Sequence, residues 1–214
     1  MQPDDWLADT RTSYDTVADS YTDLLRDTLP TKPYLIGVLA MFADLVRAAG
    51  GGPVADVGCG PGHVTAHLAG LGVDAFGIDL SPAMIDNARR EHPDLRFEVG
   101  SMTDLDLADA SVAGLLAFWS LIHIPDEALP TVLKHFRRVL RPGAPLMVGF
   151  HVGDRSTLKT EGYGGHPMKV HVHRRTPEQV AERLRAAGFA IEAYVLFDPD
   201  EPTPGAAVFA RRPA

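Results

Sequence analysis

Thiols are almost absent from this chain: Cys59 is the one cysteine in 214 residues. That excludes an internal disulfide framework and any zinc cage built on cysteines. Long apolar runs are absent too, so no stretch reads as a membrane span. Positive charge is in deficit, with 20 Lys and Arg against 28 Asp and Glu and a formal net charge of −8. A long nucleic-acid partner, whose phosphates call for a basic surface, is disfavoured. The opening residues, Met1-Gln2-Pro3-Asp4-Asp5, carry neither the basic nor the apolar region of a secretory signal. These absences suit a cytoplasmic protein with no membrane and no nucleic-acid partner, and they leave oligomeric state open. What remains is 45% hydrophobic residues, enough for one sizeable core and too few residues for two ordinary domains.

The organising stretch is Val54-Ala55-Asp56-Val57-Gly58-Cys59-Gly60-Pro61-Gly62. A β-prone run ends in a turn crowded with glycine, and a helical segment from His63 to Leu71 follows. Glycine permits positive φ and lets a ligand touch the backbone. The helix behind it offers free N–H groups and the positive end of its dipole. This is the pattern of a nucleotide-type site at the first strand–helix turn of an α/β sheet. A second acid, Asp79, closes the next apolar run 17 residues past Gly62, where a carboxylate can accept both hydroxyls of a ribose.

Strand and helix then alternate, which predicts a doubly wound, mostly parallel sheet with helices on both faces. Ser81-Pro82 starts a helix to about Glu91, with a capping hydroxyl and proline at the first helical position. Further strands are expected at 96–99, 112–118, 146–150, 191–197 and 206–210, with helices over 130–140 and from Thr176 to near Gly188. Ahead of the core, residues 1–50 read as two helices divided at Pro30–Pro33, the first capped by Thr12 or Ser13 and running to about Leu29. Residues 153–167 read as a glycine-rich, polar insertion, and Met168 to His173 as a short strand.

The phrases Asp56-Val57-Gly58-Cys59-Gly60-Pro61-Gly62, Gly77-Ile78-Asp79-Leu80-Ser81 and Arg138-Val139-Leu140-Arg141-Pro142-Gly143 resemble the class I S-adenosylmethionine (SAM)-dependent methyltransferases. The resemblance covers about residues 53–152. It implies a Rossmann-like sheet of seven strands with the last antiparallel, SAM as cofactor and a small-molecule acceptor. It divides one domain into an N-terminal helical lid (1–50), a SAM-binding core (53–152), an insertion that lids the substrate (153–175) and a C-terminal helix and strands (176–214). A nicotinamide-dependent oxidoreductase is the alternative, but its fingerprint requires glycine where this chain has His63. A non-catalytic SAM-binding module is the other.

By the same resemblance, Gly58, Cys59 and Gly60 pack on the methionyl part of the cofactor and Asp79 holds its ribose. Asp56 lies near its ammonium, or else braces the turn. Leu80, Met84 and Phe118 wall the adenine. Ser101 stands where many members carry an acid for the adenine amino group, so the Ser101 hydroxyl or the Met102 backbone takes that task. Tyr14, in a segment like the N-terminal cap of such enzymes, lies over the cofactor or anchors its helix. Cys59 sits inside the turn, which argues against thiolate attack on a pyrimidine. The signature of base amino-group methylation is also missing after the fourth strand, where Trp119-Ser120-Leu121 stands instead.

His123 and His151 fall just past the carboxyl ends of the fourth and fifth strands, where open sheets bind ligands. Each is a candidate general base for a hydroxyl acceptor, with Trp119 beside them in the substrate pocket, or else a loop brace. The residues favour O-methylation slightly over N-methylation. His171 and His173, two apart on a strand, share a face with His166 nearby, but no recognised metal-ligand spacing is present and no metal is expected.

Overall fold

Four consecutive buried residues make the central strand, one of nine strands that stand with six α-helices among the described residues. The computed structural model describes residues 5–214. In chain order the elements are α1 (Asp5–Leu25), α2 (Pro33–Ala48), β1 (Val54–Val57), α3 (His63–Gly70), β2 (Ala75–Asp79), α4 (Pro82–Glu91), β3 (Phe97–Val99), β4 (Gly114–Phe118), α5 (Leu129–Val139), β5 (Pro145–His151), β6 (Ser156–Gly162), β7 (His166–His173), α6 (Pro177–Ala186), β8 (Ala190–Phe197) and β9 (Gly205–Arg211). Short 3-10 turns lie at Leu29–Thr31 and Leu121–His123.

Seven strands form one sheet in the order β3-β2-β1-β4-β5-β9-β8. The first five run parallel, and β9 is antiparallel to both β5 and β8. Side chains of alternate residues feed two layers, as the period of a strand requires. Val54, Leu116, Met147 and Phe209 pack with Leu39 and Phe42 of α2 and Leu68 of α3. Ala55, Leu115, Leu146 and Val148 pack on the other face with Leu133 and Phe136 of α5 and Leu184 of α6. Strand order reverses between β1 and β4, so the crevice for a ligand opens beyond their carboxyl ends.

Two expectations are corrected. Thr12 and Ser13 do not cap the first helix, which is already under way at Asp5 and ends at Leu25 rather than Leu29. The Ser13 hydroxyl instead accepts a bond from the Lys169 backbone N–H at 2.8 Å, tying α1 to β7. The first four residues of the expected helical segment lie outside the described residues. The second concerns the insertion, for which no strand was expected before Met168: β6 pairs antiparallel with β7, turning through Tyr163, Gly164 and Gly165, all at positive φ. Nearly every residue of β6 is exposed, so it lacks the in–out alternation that marks a strand in sequence.

This hairpin and α1 close over the sheet edge. Their shared apolar contact is a satellite cluster, Val17, Ala18, Met84, Met168 and Val170, edged by Tyr14, Tyr21 and Tyr163. Polar ties lock α1 onto α4: Asp15 accepts from the Ser81 hydroxyl (2.6 Å) and the Ala83 N–H (3.2 Å), and Asn87 donates to Asp19 and Thr22.

Candidate active site

The turn after β1 is shaped by what a side chain would strike. Gly58 lies at φ 79°, and a Cβ there would come within 2.2 Å of Ser120 Cβ. The Ser120 hydroxyl in turn donates to the Val57 carbonyl at 2.7 Å, so strands β1 and β4 are pinned at their ends. Gly60 differs: at φ 54° its hydrogen faces open space, and a Cβ would meet only the Tyr21 ring at 3.7 Å. A side chain at 60 would therefore fill the cavity rather than break the fold. The Cys59 thiol is buried, and desolvation pushes its pKa well up, so it stays protonated and inert.

Asp79 accepts the Gly60 N–H at one carboxylate oxygen and the Ser81 N–H at the other, each at 2.8 Å. Burial raises its pKa and these bonds oppose the rise. Each oxygen keeps a further lone pair, so the group retains the capacity to accept two hydroxyls. Asp56 is buried and accepts from the Thr65 hydroxyl at 2.7 Å, bracing α3 on β1. Desolvation lifts its carboxyl to about 7. Asp56 braces the turn and also lines the cavity.

That cavity has a volume of about 400 Å³ and is walled mostly by apolar groups. Every site residue expected from sequence lines it: Tyr14, Asp56, Gly58, Cys59, Gly60, Asp79, Leu80, Met84, Ser101, Met102, Phe118, Trp119, His123 and His151. Ser101 lines it with its hydroxyl already engaged, 2.7 Å from Thr103 Oγ1 and accepting the Thr103 N–H. Trp119 holds a left-handed backbone, φ 54°, at the end of β4, a strained conformation for a bulky residue and a mark of a functional position.

The roof holds a hydrogen-bond chain. His123 Nδ1 lies 2.9 Å from the His171 carbonyl, which can only accept, so Nδ1 carries the proton. Nε2 is then an acceptor, and the Tyr14 hydroxyl donates to it at 2.7 Å. Burial holds the imidazole down at about 4 and the phenol well above its usual range, so both are neutral near pH 7. Sequence offered His123 as a general base or a loop brace; here its Nε2 lone pair is occupied by the Tyr14 hydroxyl. His151 differs from His123 in its proton position. The Trp119 indole N–H donates to its Nδ1 at 3.1 Å, so the neutral ring carries its proton on Nε2 and presents a donor.

Other cavity residues were not among the site residues expected from sequence, Tyr21, Tyr163 and His63 among them. Tyr21 and Tyr163 meet edge to face, with centroids 4.6 Å apart, and Tyr14 packs on Tyr21 at 5.9 Å. Tyr14 and Tyr21 are seven apart on one helix, a same-face spacing visible in sequence; Tyr163 had no such signal. His63, noticed only for not being glycine, lines the cavity with a buried, unpartnered Nδ1.

Fold and cavity thus define an α/β protein built to hold a nucleoside-type group at the first strand–helix turn. Known proteins agree. The methyltransferase-domain family model matches residues 54–143. An O-methyltransferase of Penicillium expansum is 32% identical over 199 residues, covering 83% of this chain and 71% of its own. N-demethylindolmycin N-methyltransferase of Streptomyces griseus is 32% identical over 140 residues, 61% of this chain and 59% of its own length. The chain thus spans less than two thirds of that second relative. In fold, the 1,6-didemethyltoxoflavin-N1-methyltransferase of Burkholderia thailandensis, solved with bound S-adenosylhomocysteine (SAH), matches with a TM-score of 0.76 at 23% identity, over 100% of this chain and 92% of its own.

The chain belongs to the class I SAM-dependent methyltransferases. Its cofactor is SAM, and the nicotinamide alternative falls. The residues fit that cofactor: the open cradle at Gly60 and the spare lone pairs of Asp79 are what a methionyl chain and a ribose require. Among the described residues no helix is long and apolar enough to cross a membrane, and no cluster of three or more His, Cys, Asp or Glu could hold a metal ion.

Proposed function

We propose that the protein methylates a hydroxyl oxygen of a small, largely apolar molecule, and that the Tyr14–His123 pair takes the proton. The observation that carries this is the chain Tyr14 Oη to His123 Nε2 to the His171 carbonyl. Bound SAM supplies a methyl made electrophilic by its sulfonium. Asp79 and Gly60 are the residues to hold it, with Asp56 toward its amino end and Leu80, Met84 and Phe118 beside its base.

Tyr14 Oη keeps a lone pair while donating to His123, so it accepts the acceptor's O–H. As the oxygen gains its methyl it becomes an oxonium, a strong acid. Its proton passes to Tyr14 Oη while the Tyr14 proton passes to His123 Nε2. The imidazolium that results keeps its Nδ1–H on the His171 carbonyl. A base held at about 4 suffices, because the proton it receives comes from so strong an acid. Phe118, Trp119, Tyr21 and Tyr163 supply the apolar walls that align the acceptor and keep water out. The relatives named above act on both oxygen and nitrogen, and the proton relay favours oxygen here. We further assign α1 and the β6–β7 hairpin as the lid that closes over both ligands.

The test is methyl transfer from isotope-labelled SAM to matched aromatic alcohols, phenols and amines. The expected product is the O-methyl ether. A clear preference for the amines, with Tyr14→Phe as active as the parent, overturns the relay.

A further inference from the structure

The cavity ends differ in charge. At the cofactor end both acids are committed, Asp56 to Thr65 and Asp79 to two backbone N–H groups. Asp56 and Asp79 are the acids that line the cavity, and beside its His151 end, outside the lining itself, lie two cations with no acid partner among the described residues. Lys159 pairs across the hairpin with Val170, so both project from the same face, and Val170 is buried in the cluster with Tyr14 and Tyr21. The half-buried Lys159 ammonium lies 3.8 Å above the ring of Tyr163, itself a cavity wall. Arg174 packs its side chain along Gly153, two residues past His151; a Cβ on Gly153 would lie 2.9 Å from Arg174 Cδ. The Nε of Arg174 is buried without a hydrogen-bond partner.

The neighbouring cations are treated otherwise. Arg175 and Arg183 both grip Asp126 at 3.0 Å, Lys169 grips Asp9 at 2.8 Å and Arg155 lies 3.7 Å from Asp154. A chain with a net charge of −8 has acids to spare, yet none is placed on Lys159 or Arg174 among the described residues. Both cations act on His151, helping burial to hold it neutral. His151 lines the cavity, and its Nε2–H is fixed as a donor by Trp119. The buried, unpartnered Nε–H of Arg174 is costly unless a ligand or solvent meets it.

We infer that the acceptor molecule carries an oxyanion, a carboxylate or phosphate, that docks at the His151 end of the cavity within the field of Lys159 and Arg174. This rests on the methyltransferase reading of the same cavity. The anion is the handle by which the substrate is oriented; the hydroxyl at its other end meets Tyr14. A neutral analogue leaves His151 and the two cations unanswered.

The experiment loads the protein with SAH and titrates benzoate, phenyl phosphate and benzamide by calorimetry. At least one anion is expected to bind about ten- to a hundredfold tighter than the isosteric amide, the scale of one charge-assisted bond. Which of the two binds better distinguishes carboxylate from phosphate. The double variant Lys159→Met, Arg174→Met should remove most of that preference and leave SAH affinity unchanged. Rising salt should weaken the anions and spare benzamide. Equal affinity of anion and amide, no binding by any of the three probes, or an unchanged preference in the double variant overturns the proposal. Failure of the parent to bind SAH would instead sink the methyltransferase reading itself.

Discussion

The floor of the cavity is held by backbone bonds within and between two adjacent strand–turn–helix units, Val54 to Glu91. The roof is held by side chains from segments far apart in sequence: Tyr14 and His123 are 109 residues apart, Ser13 and Lys169 are 156 apart. On the floor, Asp79 fixes the glycine turn through Gly60 and Ser81 N–H groups, and Gly58 has no room for a methyl. In the roof, the apolar contact between α1 and the hairpin is the satellite cluster around Val17 and Val170. The floor is thus a rigid cofactor seat continuous with the core. The roof, with little buried apolar contact of its own, is suited to opening and to carrying specificity.

The largest effect belongs to the floor. Asp79→Ala removes two acceptors for the ribose and frees the turn. At about 1.5–3 kcal/mol for each charge-assisted bond, SAM affinity should fall about 10²–10⁴-fold by calorimetry. Unchanged affinity would mean that the seat is not where the sheet order places it. Roof substitutions should behave in the opposite way. Tyr14→Phe and His123→Ala should each lower turnover on a hydroxyl acceptor by about 10²–10⁴-fold, the scale of a lost proton acceptor, while SAH affinity hardly moves. Equal losses in both readouts would erase the distinction between floor and roof.

A third prediction concerns pH and the ligand-free protein. Asp56 is held at about 7, against an ordinary carboxylate value near 3.8. Its unfolded form loses a proton that the fold retains, so its contribution is present below about pH 4 and is lost as pH rises toward 7. His63 and His123, each held near 4, act in the opposite sense: their contribution falls as pH drops from 6.5 to 4. The clean quantity is therefore a difference. Relative to the parent, Asp56→Asn should gain stability between pH 4 and 7 by up to about 4 kcal/mol, read by urea unfolding across that range. A flat difference would place the Asp56 proton elsewhere. Smallest is the effect on motion. Amide exchange in α1 and β6–β7 should slow when SAH binds, while exchange in β1 and β4 stays as it was. Uniform slowing would mean that the roof does not move as a unit.

The floor was legible because its determinants are local. Glycines that tolerate positive φ, an acid at the end of each of two strands and a capping Ser81 before Pro82 are adjacent in sequence, and α4 starts where they place it. The roof resisted reading for the same reason reversed. Thr12 and Ser13 look like caps, since short hydroxylated residues before an apolar run usually are, but Ser13 serves β7 from within the helix. β6 shows no alternation because both its faces are largely exposed, and pairing with β7 alone makes it a strand.

Read alone, the residues determined the class of protein, the glycine turn proposed to seat the cofactor and the list of groups that meet in the cavity, because local conformational preference and strand–helix alternation set all three. Only the tertiary structure decided what the imidazoles do. Whether a histidine is a base, a donor or a brace depends on which nitrogen holds its proton, and that is set by partners remote in the chain. The His171 carbonyl and the Tyr14 hydroxyl leave the proton of His123 on Nδ1 and make Nε2 an acceptor, and the Trp119 indole makes His151 a donor.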